Sequence, residues 1–582
     1  MDEPLSLPEH CDRLIESQGR VPDADRLNQL FSFSWEYKMS QNPEWATQLG
    51  HPGYDGLWTD WSHDAVEERR SAVDLQLKTL ASISRNRLVP EDRLSYDLFR
   101  WTLEDEKGEY SFPRELLPLT HMDGVQQDAA RILAMMPVRT AEEIENIICR
   151  LHNLPALIDQ TITLMQEGIR QRITHPRVTM AEVPAQIRNQ IVARASDAPM
   201  LAAFAGISHE AADAKMRALV HDAERVYTDK VVPGLTKLLS FVEREYMPTC
   251  REEIAWSELP QGKEWYDWHV ARNTTTNMTP DEVFEVGQSE VARIRAEMDR
   301  IMKQAGFSDF AKFCDYLRTE PKFYFNEPRD LLTTYRDIVK RVDPELIRFF
   351  GLLPRLPYGV VPIPSYAEKS QTTAYYQPGS LKGGRPGYYY ANTYDLKSRP
   401  KWEMEALSLH EAVPGHHLQI ALAQEMENLP EFRKNLWITA YGEGWALYSE
   451  SLGEQMGFYQ DPYSKFGQLS YEMWRAVRLV VDPGMHAKGW SRQQAIDFFA
   501  GNSGKPLHDI TVEIDRYIVW PGQAISYKIG ELKIKQLRKL AEQKLGERFD
   551  IRAFHDELLA SGCIPLAMLE ERMKSWTDRM AE

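Results

Sequence analysis

The sequence predicts a mainly α-helical protein of two helical lobes with a small β-hairpin or sheet, and three observations carry that expectation. Apolar residues recur at spacings of three and four through most of the first 350 residues, capping hydroxyls mark helix starts, and β-rich aromatic runs are confined to one short stretch. A length of 582 residues, at roughly 150 per domain, allows more than one core, and two lobes closing over a cleft fit it.

From residue 62 to 348 helix-period segments succeed one another, at 91–107, 141–172, 208–246 and 280–304. Leu94, Leu98 and Trp101 share one face of the first. Thr140 before Ala-Glu-Glu, Ser208 before His-Glu and Thr279 before Pro-Asp-Glu each pair a capping hydroxyl with a first-turn carboxylate. The texture changes at Leu352, where Pro354, Pro357, Pro362 and Pro364 precede a strand-like run at 372–377. A Gly-rich turn, 378–387, leads into a second run at 388–394, which reads as a hairpin. After Pro400 the helical period returns, interrupted near Pro483-Gly484, at 501–504 and at Pro521-Gly522. The expected division is a helical region, 1–350, and a catalytic region, 351–582, joined as one two-lobed unit.

Composition excludes several classes of function. With 69 Lys+Arg against 86 Asp+Glu the net charge is −17, and no basic block exists to neutralise phosphates, so neither nucleic acid nor an anionic membrane is an expected partner. Cys11, Cys149, Cys250, Cys314 and Cys563 are far apart and form no CxxC, which argues against a disulfide framework or a thiolate zinc knuckle. The start Met1-Asp2-Glu3-Pro4 lacks the basic and apolar regions of a signal peptide, and no apolar run of about 18 residues occurs. The expectation is a cytoplasmic protein.

The chemistry sits at 407–419. In an HExxH helix two His four apart face one metal, and the Glu between them addresses the attacking water. Here position i+4 from His410 is Pro414, which cannot ligate. Removing Pro414-Gly415 leaves His410-Glu411-Ala412-Val413-His416, an HExxH with a two-residue insertion. Proline lacks the amide that would bond the His410 carbonyl, and glycine permits an excursion, so the insertion is expected to bulge outward and return His416 beside His410. His417 competes, being close to two full turns on, but would sit about 10 Å along the axis from His410 at ~1.5 Å per residue.

A second motif, Tyr441 to Glu450, supplies the third ligand expected of such a site. Glu443 lies 27 residues after His416, flanked by Gly442 and Gly444 that permit close helix approach. Glu450, seven further on, is placed to orient an imidazole. The set His410, His416 and Glu443 favours one Zn²⁺ per chain, while accepting manganese or cobalt.

HEAVPGHHLQ followed by GEGWALYSE resembles the signature of the bacterial domain of unknown function 885 family, which is grouped by similarity with the gluzincin metallopeptidases. The resemblance extends over most of the chain, through 478–486 and 516–530. Glu443-Gly444-Trp445-Ala446 is also similar to the NEGFA zinc segment of alanyl-aminopeptidase-type gluzincins, with Gly442 in place of the Asn. The resemblance implies two helical lobes flanking a deep active-site channel, with the small sheet next to the zinc helix.

The resemblance also implies roles. Zinc would lower the pKa of its water and polarise the scissile carbonyl, and Glu411 would carry the proton to the leaving amine. An oxyanion donor is implied in the 521–527 segment, with Tyr527 first and Tyr517 and His486 as further candidates. The run containing Tyr388, Tyr390 and Asn392 stands where clan members place an edge strand that pairs with substrate, the three sharing one face by the two-residue period. Arg385, in the adjoining turn, is the candidate for a terminal carboxylate. The leading expectation is a zinc metallopeptidase acting on short peptides. The alternatives are a zinc hydrolase of a non-peptide or modified amino-acid amide, and a non-catalytic binding protein.

Overall fold

Capping chemistry makes the helix starts that the sequence marks at Thr140 and Thr279. In the computed structural model, which describes residues 6–207, 213–364, 368, 372–380 and 384–582, each is a reciprocal box. The Glu143 amide donates to the Thr140 hydroxyl at 3.2 Å while the Glu143 carboxylate accepts the Thr140 amide at 2.9 Å. Glu282 and Thr279 repeat the pattern at 3.2 and 2.8 Å. The start expected at Ser208 lies outside the described residues. The fold is mainly α with one small sheet.

The chain forms two compact units. The first comprises Met1–Ile254 and Glu258–Gln261, the second Ala255–Ser257 and Gly262–Glu582. In the first, helix α1 (Ala141–Gln171) buries Ile147, Leu151, Leu154, Ile158, Ile162 and Met165 along one stripe. These recur at three and four and pack with Val231, Leu235 and Leu238, giving the unit a core of its own.

The second unit contains the change of texture at 351. Its helices are α2 (Pro280–Gln304), α3 (Pro328–Phe349), α4 (Met404–Glu411), α5 (His416–Glu425), α6 (Thr439–Leu452), α7 (Pro462–Lys488), α8 (Leu507–Val519) and α9 (Ser526–Leu545), among others. Close crossings rest on glycine. A Cβ on Gly287 of α2 would lie 2.6 Å from Leu479 Cβ of α7, and one on Gly444 of α6 would lie 2.6 Å from the Gly530 backbone of α9.

The predicted hairpin forms from β2 (Ala374–Gln377) and β3 (Gly387–Ala391), antiparallel, with Tyr375 opposite Tyr390 and Tyr376 opposite Tyr389. The sequence did not mark β1 (Tyr358–Pro362), which pairs with β3 in parallel. The order β1-β3-β2 puts β3 in the middle, so its amides are spent on both neighbours, which corrects the expectation of an open edge there. Asn392 lies one residue beyond β3, where its backbone amide continues the pairing to Thr373 O at 3.0 Å, and its side-chain amide donates to Glu368 O at 2.8 Å and Thr372 O at 3.0 Å. Among the described residues no helix is long and apolar enough to cross a membrane.

Candidate metal centre

The Pro414-Gly415 insertion breaks one helix into two, α4 ending at Glu411 and α5 starting at His416. The insertion does not bulge into solvent as the sequence suggests. Pro414 and Gly415 are buried, and the Trp445 indole of α6 donates to the Pro414 carbonyl at 2.8 Å. The Gly415 Cα lies so close to the His410 carbonyl oxygen that a Cβ there would overlap it, so glycine is needed for the return of the chain. His417 N–H closes the excursion by donating to Ala412 O at 3.1 Å.

This return sets the imidazoles of His410 and His416 edge to face, with centroids 4.8 Å apart and planes at 89°. Glu443 enters from α6, and its Oε2 lies 3.4 Å from each Nε2. One ligand atom from each of the three lies within 4.8 Å of the others. Burial would raise the Glu443 carboxyl, but the two histidines hold it well below the usual carboxylate range. Its Oε2 is buried without a hydrogen-bond partner among the described residues. Two imidazole nitrogens and a carboxylate oxygen facing one point, too long for direct hydrogen bonds of good strength, fit a divalent ion of borderline softness such as zinc.

His410 Nδ1–H donates to Glu450 at 2.8 Å, which directs the Nε2 lone pair toward Glu443. Glu450 is fully buried and is itself held by Arg475 Nη2 at 3.2 Å. Burial lowers the His410 pKa, but the carboxylates of Glu443 and Glu450, facing its two ring nitrogens, outweigh it and carry the group to about 9. His417 turns away. Its Nδ1 accepts from Tyr376 OH at 2.8 Å and its Nε2–H donates to Leu356 O at 3.1 Å, while burial takes its pKa down to about 4. A neutral ring with both nitrogens engaged has no lone pair left for a metal. Glu411 is buried beside His410, and no hydrogen bond to its carboxylate is found among the described residues.

Tyr527 is half-buried with the Arg478 guanidinium 4.5 Å over its ring, and its pKa is raised by burial and then by the nearby charge of Glu443. The other two oxyanion candidates are engaged elsewhere. Tyr517 OH donates to Glu513 at 2.6 Å and accepts from Arg478 and Trp474, while His486 accepts the Trp256 amide at 3.3 Å and donates to Tyr517 O at 3.0 Å. Tyr388 and Tyr390 are half-buried on the sheet face that Tyr375 shares, its ring stacked 4.9 Å from that of Tyr390. Arg385 is exposed, with Nη2 directed to Pro378 O at 3.4 Å.

Sequence reasoning missed Trp437 and Arg475. Trp437 is 45% exposed, its ring 5.8 Å from that of His416 and pressed on Gly442, where a Cβ would overlap it. Nothing in the spacing marks it. Arg475 carried a signal, because Arg475 and Arg478 interrupt an otherwise apolar helix segment one turn apart.

A family model described as bacterial protein of unknown function (DUF885) matches residues 43–573. The crystal structure of a candidate lipoprotein from Colwellia psychrerythraea is 26% identical and superposes with a TM-score of 0.91, covering 96% of this chain and 100% of its own. A candidate lipoprotein of unknown function from Shewanella oneidensis, 19% identical with a TM-score of 0.73, covers 94% and 99% and shares the fold. No curated protein matches the chain.

Proposed function

This chain belongs to the bacterial family of unknown function DUF885, and we propose that it is a zinc-dependent hydrolase, gluzincin-like in chemistry, that cleaves amide bonds of short peptides. The observation that carries the reading is the convergence of His410 Nε2 and His416 Nε2 on Glu443 Oε2, each at 3.4 Å, beside the buried Glu411, whose carboxylate has no hydrogen bond among the described residues.

When bound by His410, His416 and Glu443, zinc supplies Lewis acidity and a water of lowered pKa. Glu450 and Arg475 keep the His410 ring turned toward the site. Glu411, whose carboxylate is not committed to a neighbour, accepts the proton of the attacking water and returns it to the leaving amine. Tyr527 offers its hydroxyl to the oxygen on which charge develops. Trp437, exposed next to His416, offers an aromatic face to an apolar substrate side chain.

The test is turnover of a short-peptide library by wild type and Glu411→Gln, with zinc measured in both. The expected result is a fall in kcat of about a hundredfold or more with zinc retained. Unchanged activity in the variant, or no peptide cleaved by zinc-replete wild type, would overturn the reading. The proposed location is the cytoplasm, a reducing compartment that fits five widely separated cysteines with no CxxC among them. The lipoprotein description of the two solved relatives makes cell fractionation the check, and recovery with the membrane fraction would overturn it.

A further inference from the structure

Arg478 of α7 and Arg516 of α8 make a cationic corner beside the candidate metal centre. Both address Glu513 Oε2, Arg478 Nη2 at 3.1 Å and Arg516 Nη2 at 3.0 Å, and the same oxygen accepts Tyr517 OH. Two guanidinium charges therefore meet one carboxylate. Asp482, on the same helix as Arg478, is engaged by Tyr266 OH at 2.6 Å and the Gly522 amide at 3.1 Å and forms no ion pair with either arginine among the described residues, while burial raises it to about 7. The Arg478 side chain is only 6% exposed, and burying an uncompensated cation is costly.

One donor of that cation is open. Arg478 Nε is spent on Tyr517 OH at 2.7 Å and Nη2 on Glu513, but Nη1 is buried with no hydrogen-bond partner among the described residues. The guanidinium stacks on Tyr527, the tyrosine that feels the charge of Glu443. One turn earlier on α7, Arg475 holds Glu450 against His410, so the open donor lies one helical turn from a residue of the metal centre. Arg385, which the sequence offers for a carboxylate, is exposed and outside this arrangement.

We propose that Arg478, backed by Arg516, binds a carboxylate of the substrate, so that the amides acted on at this centre carry a free carboxyl group close to the scissile bond, as the C-terminal end of a short peptide does. Hydrolysis of those amides rests on the proposed function, whereas the carboxylate recognition stands on Arg478 alone. A guanidinium fork meets a carboxylate with charge-assisted, directional hydrogen bonds that a carboxamide cannot match.

Isothermal titration with N-acetyl-phenylalanyl-leucine as the free acid and as its carboxamide tests this, on zinc-loaded Glu411→Gln protein so that nothing turns over. The acid should bind about tenfold tighter or more. Arg478→Met should bring the acid down to the amide, and Arg478→Lys, which keeps the charge and the stem, should recover part of the preference. Equal binding of acid and amide in the protein with Arg478 intact overturns the proposal and needs no Arg478 variant to fold. A preference that persists in both Arg478 variants overturns it as well. Acid-selective binding without hydrolysis by wild type supports the carboxylate site and overturns the peptidase reading instead, so the two failures are distinct.

Discussion

His416 and His417 are neighbours in sequence with opposite tasks. The first turns Nε2 to Glu443, while the second ties the Leu356 carbonyl to the Tyr376 hydroxyl. Elemental analysis should find about one zinc per chain in wild type and His417→Ala, and none in His410→Ala, His416→Ala or Glu443→Ala. His417→Ala should instead lose about 2 kcal/mol of stability through the two polar groups it leaves unpaired. Zinc lost with His417 and kept with His416 would reverse the assignment. Proton balance gives a second readout. Metal-free His410, at about 9, still carries its proton at neutral pH, and the Nε2 lone pair is free for a metal only when that proton leaves. Zinc binding at pH 7 should therefore release about one proton, measured by calorimetry in buffers of different ionisation enthalpy, and affinity should fall as the pH is lowered. No net release would contradict a His410 held protonated between Glu443 and Glu450.

At the scale of elements, the sequence makes legible whatever local chemistry sets. Thr140 and Thr279 meet carboxylates three residues on in the same helix, and the β2–β3 hairpin is written in its own aromatic runs. The position of β3 in the sheet was not legible, because it depends on β1, a five-residue run among prolines whose parallel partner is distant in sequence. The packing of Pro414-Gly415 against Trp445 was hidden for the same reason: a bulge read in isolation has no neighbour. Glycines at helix crossings turn this into a prediction. A Cβ on Gly530 would overlap the Ala440 carbonyl of α6, so Gly530→Ala should destabilise by about 3 kcal/mol or more. Gly501, within the helix Arg492–Asn502, has nothing within 4 Å of its Cβ direction. Gly501→Ala should stabilise by up to about 1 kcal/mol. Denaturant midpoints of the two variants check the pair, and equal shifts would refute the close α6–α9 crossing.

For the whole molecule, packing and texture divide the chain at different places. Composition changes at 351, yet the compact units divide at 254–262, because α2 and α3 look like the helices before them and pack with elements later in the chain. Arg336 of α3 donates to Val360 O of β1, and Gly287 of α2 admits Leu479 of α7, both after the boundary. Periodicity reports that a segment is helical but not which core its apolar stripe enters. All three candidate ligands belong to the second unit, while the first has a core centred on α1. A ligand that binds only the folded form of one unit stabilises that unit by mass action, by about 4 kcal/mol at a free concentration a thousand times Kd. Differential scanning calorimetry should resolve two transitions, with zinc raising the temperature of one and leaving the other in place. Hydrogen exchange should assign the shifted transition to 262–582. A single transition moved as a whole by zinc would mean that the units unfold as one, and a shift assigned to the first unit would remove the metal from His410, His416 and Glu443.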